Sequence, residues 1–297
     1  MSRMRGRLSA VFDLHCDTPY FLAKKEIRHI RPQRLYGQGY KGIVFAHFVY
    51  PKAKYPFVDA VKMITSTIEY VREKETLHLT TMYREMLPGR VNVVLGAEGG
   101  HIYDTVFEQV EALYGLGLRV FTITWNNSNR LAHSALDDDK KGLTKKGREY
   151  IRRLRKYDVI LDMSHASTRT VLDVCRLCEN PVIASHSCIR VLNPSFLRNI
   201  SDPAIKAICE RGGVVAVNFS KYHLGKYSVV DHLDYLCEKY GIRHAAVGSD
   251  FDGINDPVIP GPGGITRVEK ALLAKGYKKT DIQRIFSGNF LRVFRKL

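Results

Sequence analysis

No stretch of this chain approaches the roughly 20 consecutive apolar residues that a membrane-spanning helix needs, although 45% of its 297 residues are hydrophobic. The opening MSRMRGRLSAVF is basic but has no apolar core of the kind a secretory leader carries, and the closing RVFRKL is not a lipid-anchor tail. The expected location is therefore cytoplasmic, with no membrane partner. Cysteine is sparse and scattered: Cys16, Cys175, Cys178, Cys188, Cys209 and Cys237. That distribution argues against a disulfide framework. Cys175 and Cys178 form a lone CxxC with no second pair, inside the helical pattern VLDVCRLC, and are expected in the core. There is no low-complexity segment and no short repeat. The net charge is +16, yet the basic residues come in pairs such as Lys140-Lys141 and Arg152-Arg153, never in a long block. A solvated basic surface is expected, and nucleic acid is not an expected partner.

What is present is an alternation. Short apolar runs occupy residues 10–15, 42–50, 91–98, 119–125, 158–165, 180–186, 213–219 and 244–250. They are nearly continuous in Val, Ile, Phe, Leu and Ala, as parallel strands buried on both faces are. Between them lie amphipathic patterns at helical spacing, over 57–87, 104–114, 144–156, 167–177, 202–211 and 229–240, opening with or near Thr, Ser or Asp. Eight strands alternating with helices predict an α/β fold, a (β/α)8 TIM barrel. Residues 1–297 are expected to form one catalytic domain.

The polar residues that end these runs carry the chemistry. The first run ends in His15 and Asp17, the third in Glu98, the fifth in His165, the sixth in His186 and the eighth in Asp250, with Asp252 just beyond. In a parallel barrel all C-terminal strand ends share one rim, so separate runs deliver these groups to one place. Three histidines with carboxylates suit zinc or another divalent ion. Five ligands exceed what one catalytic zinc takes, which predicts two metals, with Glu98 as the natural bridge. His15 and Asp17, two apart, share a face of an extended backbone. A pair of such ions can hold a hydroxide at neutral pH and polarise a scissile carbonyl, and Asp250 is the candidate to shuttle the proton to a leaving amine. Arg190 and Arg198 are candidates for holding a substrate carboxylate. His29, His47, His78, His223, His232 and His244 are assigned structural or surface roles, and His101 and His133 are left open.

The segments FDLHCDTP, VLGAEGGH, GLTKKGREYIRRL, VILDMSHAS, PVIASHS, LRNISD, VGSDFDGI and GNFLRVF, in this order, resemble the membrane (renal-type) dipeptidases, a branch of the amidohydrolase-like barrels. The resemblance spans nearly the whole chain. It implies a zinc-dependent dipeptidase with two Zn2+ per chain: His15 and Asp17 on one ion, His165 and His186 on the other, Glu98 bridging. It implies that Asp250 lies near the substrate amine and that Arg198 binds the substrate carboxylate. It also implies a dipeptide substrate, tolerance of a C-terminal D-residue, and a homodimer. One departure concerns the substrate: where mammalian members carry a histidine, this chain has Trp125, its only tryptophan, in TITWNNSN. An indole N–H donates one hydrogen bond but cannot act as an imidazole. Trp125 therefore keeps open a deacylase or a lactam or small-amide hydrolase on the same binuclear site. A basic nucleic-acid-binding protein on an inactive barrel is the remaining alternative.

Overall fold

The computed structural model describes residues 9–297; the basic opening residues 1–8 lie outside the described part. Eight parallel strands run in chain order around a barrel: β1 (Val11–Cys16), β2 (Tyr40–Phe48), β4 (Val91–Glu98), β5 (Leu118–Thr122), β6 (Ile160–Asp162), β7 (Val182–Ala184), β8 (Val214–Val217) and β9 (Ala245–Val247). A ninth, β3 (Leu77–Leu79), adds to β4 from outside this path. Closure falls just beyond β9, where Asp250 N donates to His15 O at 3.1 Å and Asp17 N to Phe251 O at 2.9 Å. Every expected run holds a strand. The tract 57–87 does not stay helical: α2 (Pro56–Arg72) stops before the polar Glu73–Thr76, and Leu77-His78-Leu79 pairs with β4. The alternation of Leu, His and Leu is a strand period hidden behind a long helical one.

The other helices, α1 (Thr18–Ala23), α3 (Glu108–Gly115), α4 (Lys145–Leu154), α5 (Thr168–Leu177), α6 (Asp202–Glu210), α7 (Lys221–Leu224), α8 (Val229–Tyr240), α9 (Ile265–Ala274), α10 (Lys279–Gln283) and α11 (Asn289–Phe294), follow the strands. Their starts follow from local chemistry. Thr144 and Ser167 accept the N–H of Gly147 and Thr170, and Ser228 forms a capping box with Asp231. Each such cap stabilises its helix by roughly 1 kcal/mol. Cys175 and Cys178 are buried and unpaired on α5 and at its end.

Two hydrophobic cores result. The larger fills the layer between strands and helices; the smaller fills the barrel interior with Phe12, Leu14, Val44, Val94, Ile160 and Ile183. Phe290, Leu291, Val293 and Phe294 of α11 pack against the interior set, so the interior is solid and leaves only the opposite rim for polar groups. No helix among the described residues is long and apolar enough to cross a membrane.

Candidate metal centre

Strand parity explains how polar groups reach the rim. On β4, Val94, Gly96 and Glu98 alternate inward by the two-residue period, which carries Glu98 to the lumen. On β1 the parity breaks. Asp13 pairs with Ile43 but Cys16 with Phe45, so β1 spends one residue more than β2. Leu14 lies in the interior core, whereas Cys16 lies in the outer one. This bulge turns His15 and Asp17 to the inside, a re-aiming that bulges near active sites commonly perform. His165 (φ +67°), Asp250 (φ +62°) and Asp252 (φ +69°) adopt left-handed backbone just past their strands. For non-glycine residues this costs on the order of 1 kcal/mol each, held here by the surrounding barrel.

Glu98 Oε1 is the centre of the arrangement. His165 Nε2 lies 2.9 Å from it, His186 Nε2 3.4 Å and His15 Nε2 3.6 Å. His15 Nε2 is also 3.4 Å from Asp17 Oδ2, and His165 Nε2 is 2.9 Å from His186 Nε2. Donor atoms gather in three overlapping sets: His15, Asp17 and Glu98; Glu98, His165 and His186; His15, His186 and Asp250. Gly253 makes room: a Cβ there would meet Asp17 Oδ2 at 2.2 Å and Asp250 Oδ1 at 2.5 Å. The cavity of about 300 Å³ above this cluster is also lined by Arg198, Trp125, Phe48, Tyr50, Asn126 and His223.

The donor set fits divalent ions. Metal bonds of about 2.0–2.1 Å in tetrahedral geometry put ligand atoms roughly 3.3 Å apart, which is the spacing seen. His15 Nε2 is buried with no hydrogen-bond partner. Burial, then the Asp17 charge, drives Glu98 well above the usual carboxylate range. Burial likewise lifts Asp250 to about 7. For His15, burial opposes protonation, but Glu98, Asp17 and Asp250 prevail and raise it to about 10. His165 and His186 are held well below normal, by burial first and then chiefly by the charges of Arg198 and His15. Buried carboxylates crowded together, beside two imidazoles, His165 and His186, that stay neutral, are the donor chemistry a divalent cation binds.

A polar layer beneath sets the tautomers. Asp162, inward on β6, accepts Ser185 Oγ–H at 2.7 Å, Thr122 Oγ1–H at 2.8 Å, and the backbone N–H of Ser164 and Ser185. Ser185 has thereby used its only proton. It must accept from His186 Nδ1–H at 2.8 Å, which leaves the His186 Nε2 lone pair facing the rim. At His165 the situation differs. Arg198 Nε–H donates to Nδ1 at 2.8 Å, so Nε2 carries the proton toward Glu98.

All eight residues expected at the site, His15, Asp17, Glu98, Trp125, His165, His186, Arg198 and Asp250, are at this rim. Trp125 packs on Phe48 at 4.7 Å and lies 6.3 Å from the His165 ring. Arg190 does not face the cavity cluster; it pairs with Asp139 at 2.7 Å. Asp252 accepts Thr18 Oγ1–H and the His29 N–H, anchoring α1. His101 Nε2–H donates to the Val49 carbonyl, and His133 Nδ1–H to the Gly142 carbonyl. Sequence reasoning missed Asp162, Ser185, Asn126 and His223. An acid inside the otherwise apolar run VILDM was the available signal for Asp162; His223 had none, because its helix follows β8 without a motif.

A barrel rim that collects imidazoles and carboxylates over a plugged interior is the arrangement of a metal-dependent hydrolase. The chain belongs to the membrane dipeptidase family, peptidase family M19, whose model matches residues 6–297. It is 33% identical over 229 residues to an uncharacterized dipeptidase of Schizosaccharomyces pombe, covering 70% of this chain and 53% of that protein. It is 25% identical to the dipeptidase tcpJ of Claviceps purpurea, covering 98% of this chain and 74% of that one. The fold matches a metallo peptidase of Rhodobacter sphaeroides liganded with a phosphinate mimic of L-Ala-D-Ala, with TM-score 0.86, 23% identity, and 96% and 98% of the two chains covered.

Proposed function

We propose that this protein hydrolyses small dipeptides, including those with a C-terminal D-residue, with two zinc ions at the rim. The carrying observation is the approach of three imidazole Nε2 atoms to one oxygen of Glu98 within 3.6 Å, at the floor of the cavity. His15 and Asp17 would hold one ion and His165 and His186 the other, with Glu98 shared. When bound, the ions supply a hydroxide nucleophile at neutral pH and polarise the scissile carbonyl.

The chain's own residues do the rest. Asp250 is buried at the rim beside the ligand set, where its carboxylate can take a proton from the nucleophile and return it to the leaving amine. The same carboxylate is placed to hold a substrate ammonium. His165 needs its proton on Nδ1 to offer Nε2 to a cation, and Asn126 Oδ1, 2.8 Å away, is the acceptor waiting for it. That tautomer removes the acceptor of Arg198 Nε–H and turns this donor toward a ligand. Trp125, Phe48 and Tyr50 form an aromatic wall that excludes water and receives an apolar side chain.

A cytoplasmic setting accords with six unpaired thiols. The Trp125 wall favours a second reading, hydrolysis of N-acyl amino acids, which carry the carboxylate but no ammonium. Elemental mass spectrometry of purified protein, followed by a panel of L-L and L-D dipeptides against N-acyl amino acids, tests both. About two ions per chain and turnover of dipeptides are expected. Asp250→Asn should keep the ions and slow dipeptide turnover by roughly 100-fold or more. A metal-free protein after zinc addition, or turnover confined to N-acyl substrates, would overturn the dipeptidase reading.

A further inference from the structure

One imidazole in the cavity is not committed to the cation cluster. His223, on α7, lines the same space as Asp17, Glu98, His165, His186, Arg198 and Asp250. Its tautomer follows from its neighbour Asn218. Asn218 Oδ1 accepts the Ser220 backbone N–H at 3.3 Å, and Asn218 Nδ2 donates to the His186 carbonyl at 3.4 Å. Each of those partners can play only one role, so the amide orientation is fixed. Asn218 Nδ2 therefore faces His223 Nδ1 and donates to it. A neutral ring whose Nδ1 accepts carries its proton on Nε2. Burial first, then the Arg198 charge, holds His223 down to about 3, so the ring is neutral in any working buffer. Nε2 makes no hydrogen bond among the described residues, although its ring faces the cavity.

This donor is rigidly tied to Arg198. Asn199 Nδ2 donates to the His223 carbonyl at 2.8 Å, and Asn193 Nδ2 to the Tyr222 carbonyl at 2.9 Å. Phe196 packs against the His223 ring with centroids 4.6 Å apart and the planes tilted by 36°. All three residues flank Arg198 on one loop. Arg198 itself is only 3% exposed. Nη1 donates to Ser187 Oγ at 3.2 Å and Nη2 to the His186 carbonyl at 3.1 Å. It therefore brings its charge to the cavity with much of its fork already engaged. A carboxylate has two oxygens to satisfy and needs a donor beyond this half-occupied guanidinium.

We propose that His223 Nε2–H is the second half of a clamp for the substrate's C-terminal carboxylate, one oxygen on Arg198 and the other on His223. The proposal rests on the dipeptidase reading and deepens it: the enzyme requires a free carboxylate, recognised by one cation and one neutral donor. His223 is thus a specificity-determining residue.

Three variants separate the roles. His223→Phe keeps an aromatic ring against Phe196 and removes the donor. His223→Gln places an amide N–H where Nε2 was. His223→Asn reaches only the Nδ1 position. Kinetics are read on a dipeptide and on the same dipeptide with its C-terminus amidated, and each variant's melting temperature reports folding. Phe and Asn variants should raise KM for the free acid by roughly 10- to 100-fold with kcat within a few-fold. The Gln variant should recover most of the loss, and on the amide, which has lost the charge and one of the two acceptor oxygens, the Phe and Asn variants should lose several-fold less than on the acid. An equal loss on acid and amide, or a loss in kcat alone, overturns the clamp. If the unmutated enzyme cleaves no dipeptide, the dipeptidase reading fails. The clamp is then judged by calorimetry of a free amino acid against its amide on the zinc-loaded protein, where no preference for the free acid refutes it. In the metal-free protein, 15N chemical shifts of His223 should show a protonated Nε2 and a bare Nδ1; the opposite tautomer also refutes it.

Discussion

Ser185 offers no charged ligand atom, yet its hydroxyl decides what His186 can do. Asp162 takes the only Ser185 proton at 2.7 Å, and the hydroxyl oxygen then orders His186 Nδ1–H toward itself. Removing that oxygen leaves His186 free to take the other tautomer, with a proton where a cation should sit. On the two-ion reading proposed above, Ser185→Ala should therefore lower affinity for one ion by roughly 10- to 100-fold. The fold should survive, because Asp162 keeps Thr122 Oγ1–H and two backbone donors. Calorimetric titration of zinc into metal-free protein reads this directly, and two unchanged affinities would remove Ser185 from the role. At this scale the sequence was informative for groups with chemistry of their own. His, Asp and Glu at strand ends announce themselves, whereas a serine whose importance lies in the direction of one proton does not. Nor could the sequence show the left-handed backbone at His165 and Asp250, since nothing in MSHAS or GSDFD demands it.

Elements divide along the same line. The eight barrel strands were legible because each is an apolar run buried on both sides, and the β4 run 91–98 matches its strand end to end. The bulge in β1 was not legible. VFDLHCD has no glycine or proline to mark it, and only pairing with β2 reveals the extra residue. Plain i, i+2 reasoning put His15 and Asp17 on one face correctly, but which face depends on that bulge. The loops hold a second lesson. Arg190 and Arg198 looked alike as cations following His186, and the structure separates them by partner. Arg190 pairs with Asp139 through Nη1 at 2.7 Å and donates to the Asn199 and Leu197 carbonyls. It therefore fastens both ends of the Arg198 side chain's own backbone segment. Arg190→Ala frees that segment without touching the rim, so KM should rise several-fold while kcat and metal content stay within twofold. A fall in kcat with unchanged KM would contradict a positioning role. Steady-state kinetics on the preferred dipeptide decides it.

At the scale of the whole molecule, a chain with net charge +16 concentrates negative charge at one buried point. Asp17, Glu98 and Asp250 meet there, with Asp13 just below. Without cations, protons must do the neutralising, and the direction of each shift gives the consequence. Burial raises Asp13 to about 6 and Asp250 to about 7 against an ordinary 3.8, and the surrounding carboxylates raise His15 to about 10 against 6.5. In each case the folded metal-free chain holds a proton that the unfolded chain has released. Stability from these groups is complete at low pH and is lost as pH rises, for Asp13 and Asp250 from about 4 to 7 and for His15 from about 6.5 to 10. His165 and His186, held below their usual range, act with the opposite sign, but only below their ordinary 6.5. Between pH 6.5 and 9 the first group alone remains. Divalent ions replace the missing protons and add their own binding free energy, about 4 kcal/mol at a thousandfold excess over Kd. The melting temperature of chelator-treated protein should therefore fall from pH 6.5 to 9, while that of the zinc-loaded protein stays level, so the gap between them widens. Thermal melts at four pH values with and without zinc measure that gap. A gap that is constant, or a metal-free protein that grows more stable toward pH 9, would mean that the buried acids at this rim are neutralised by something other than a cation.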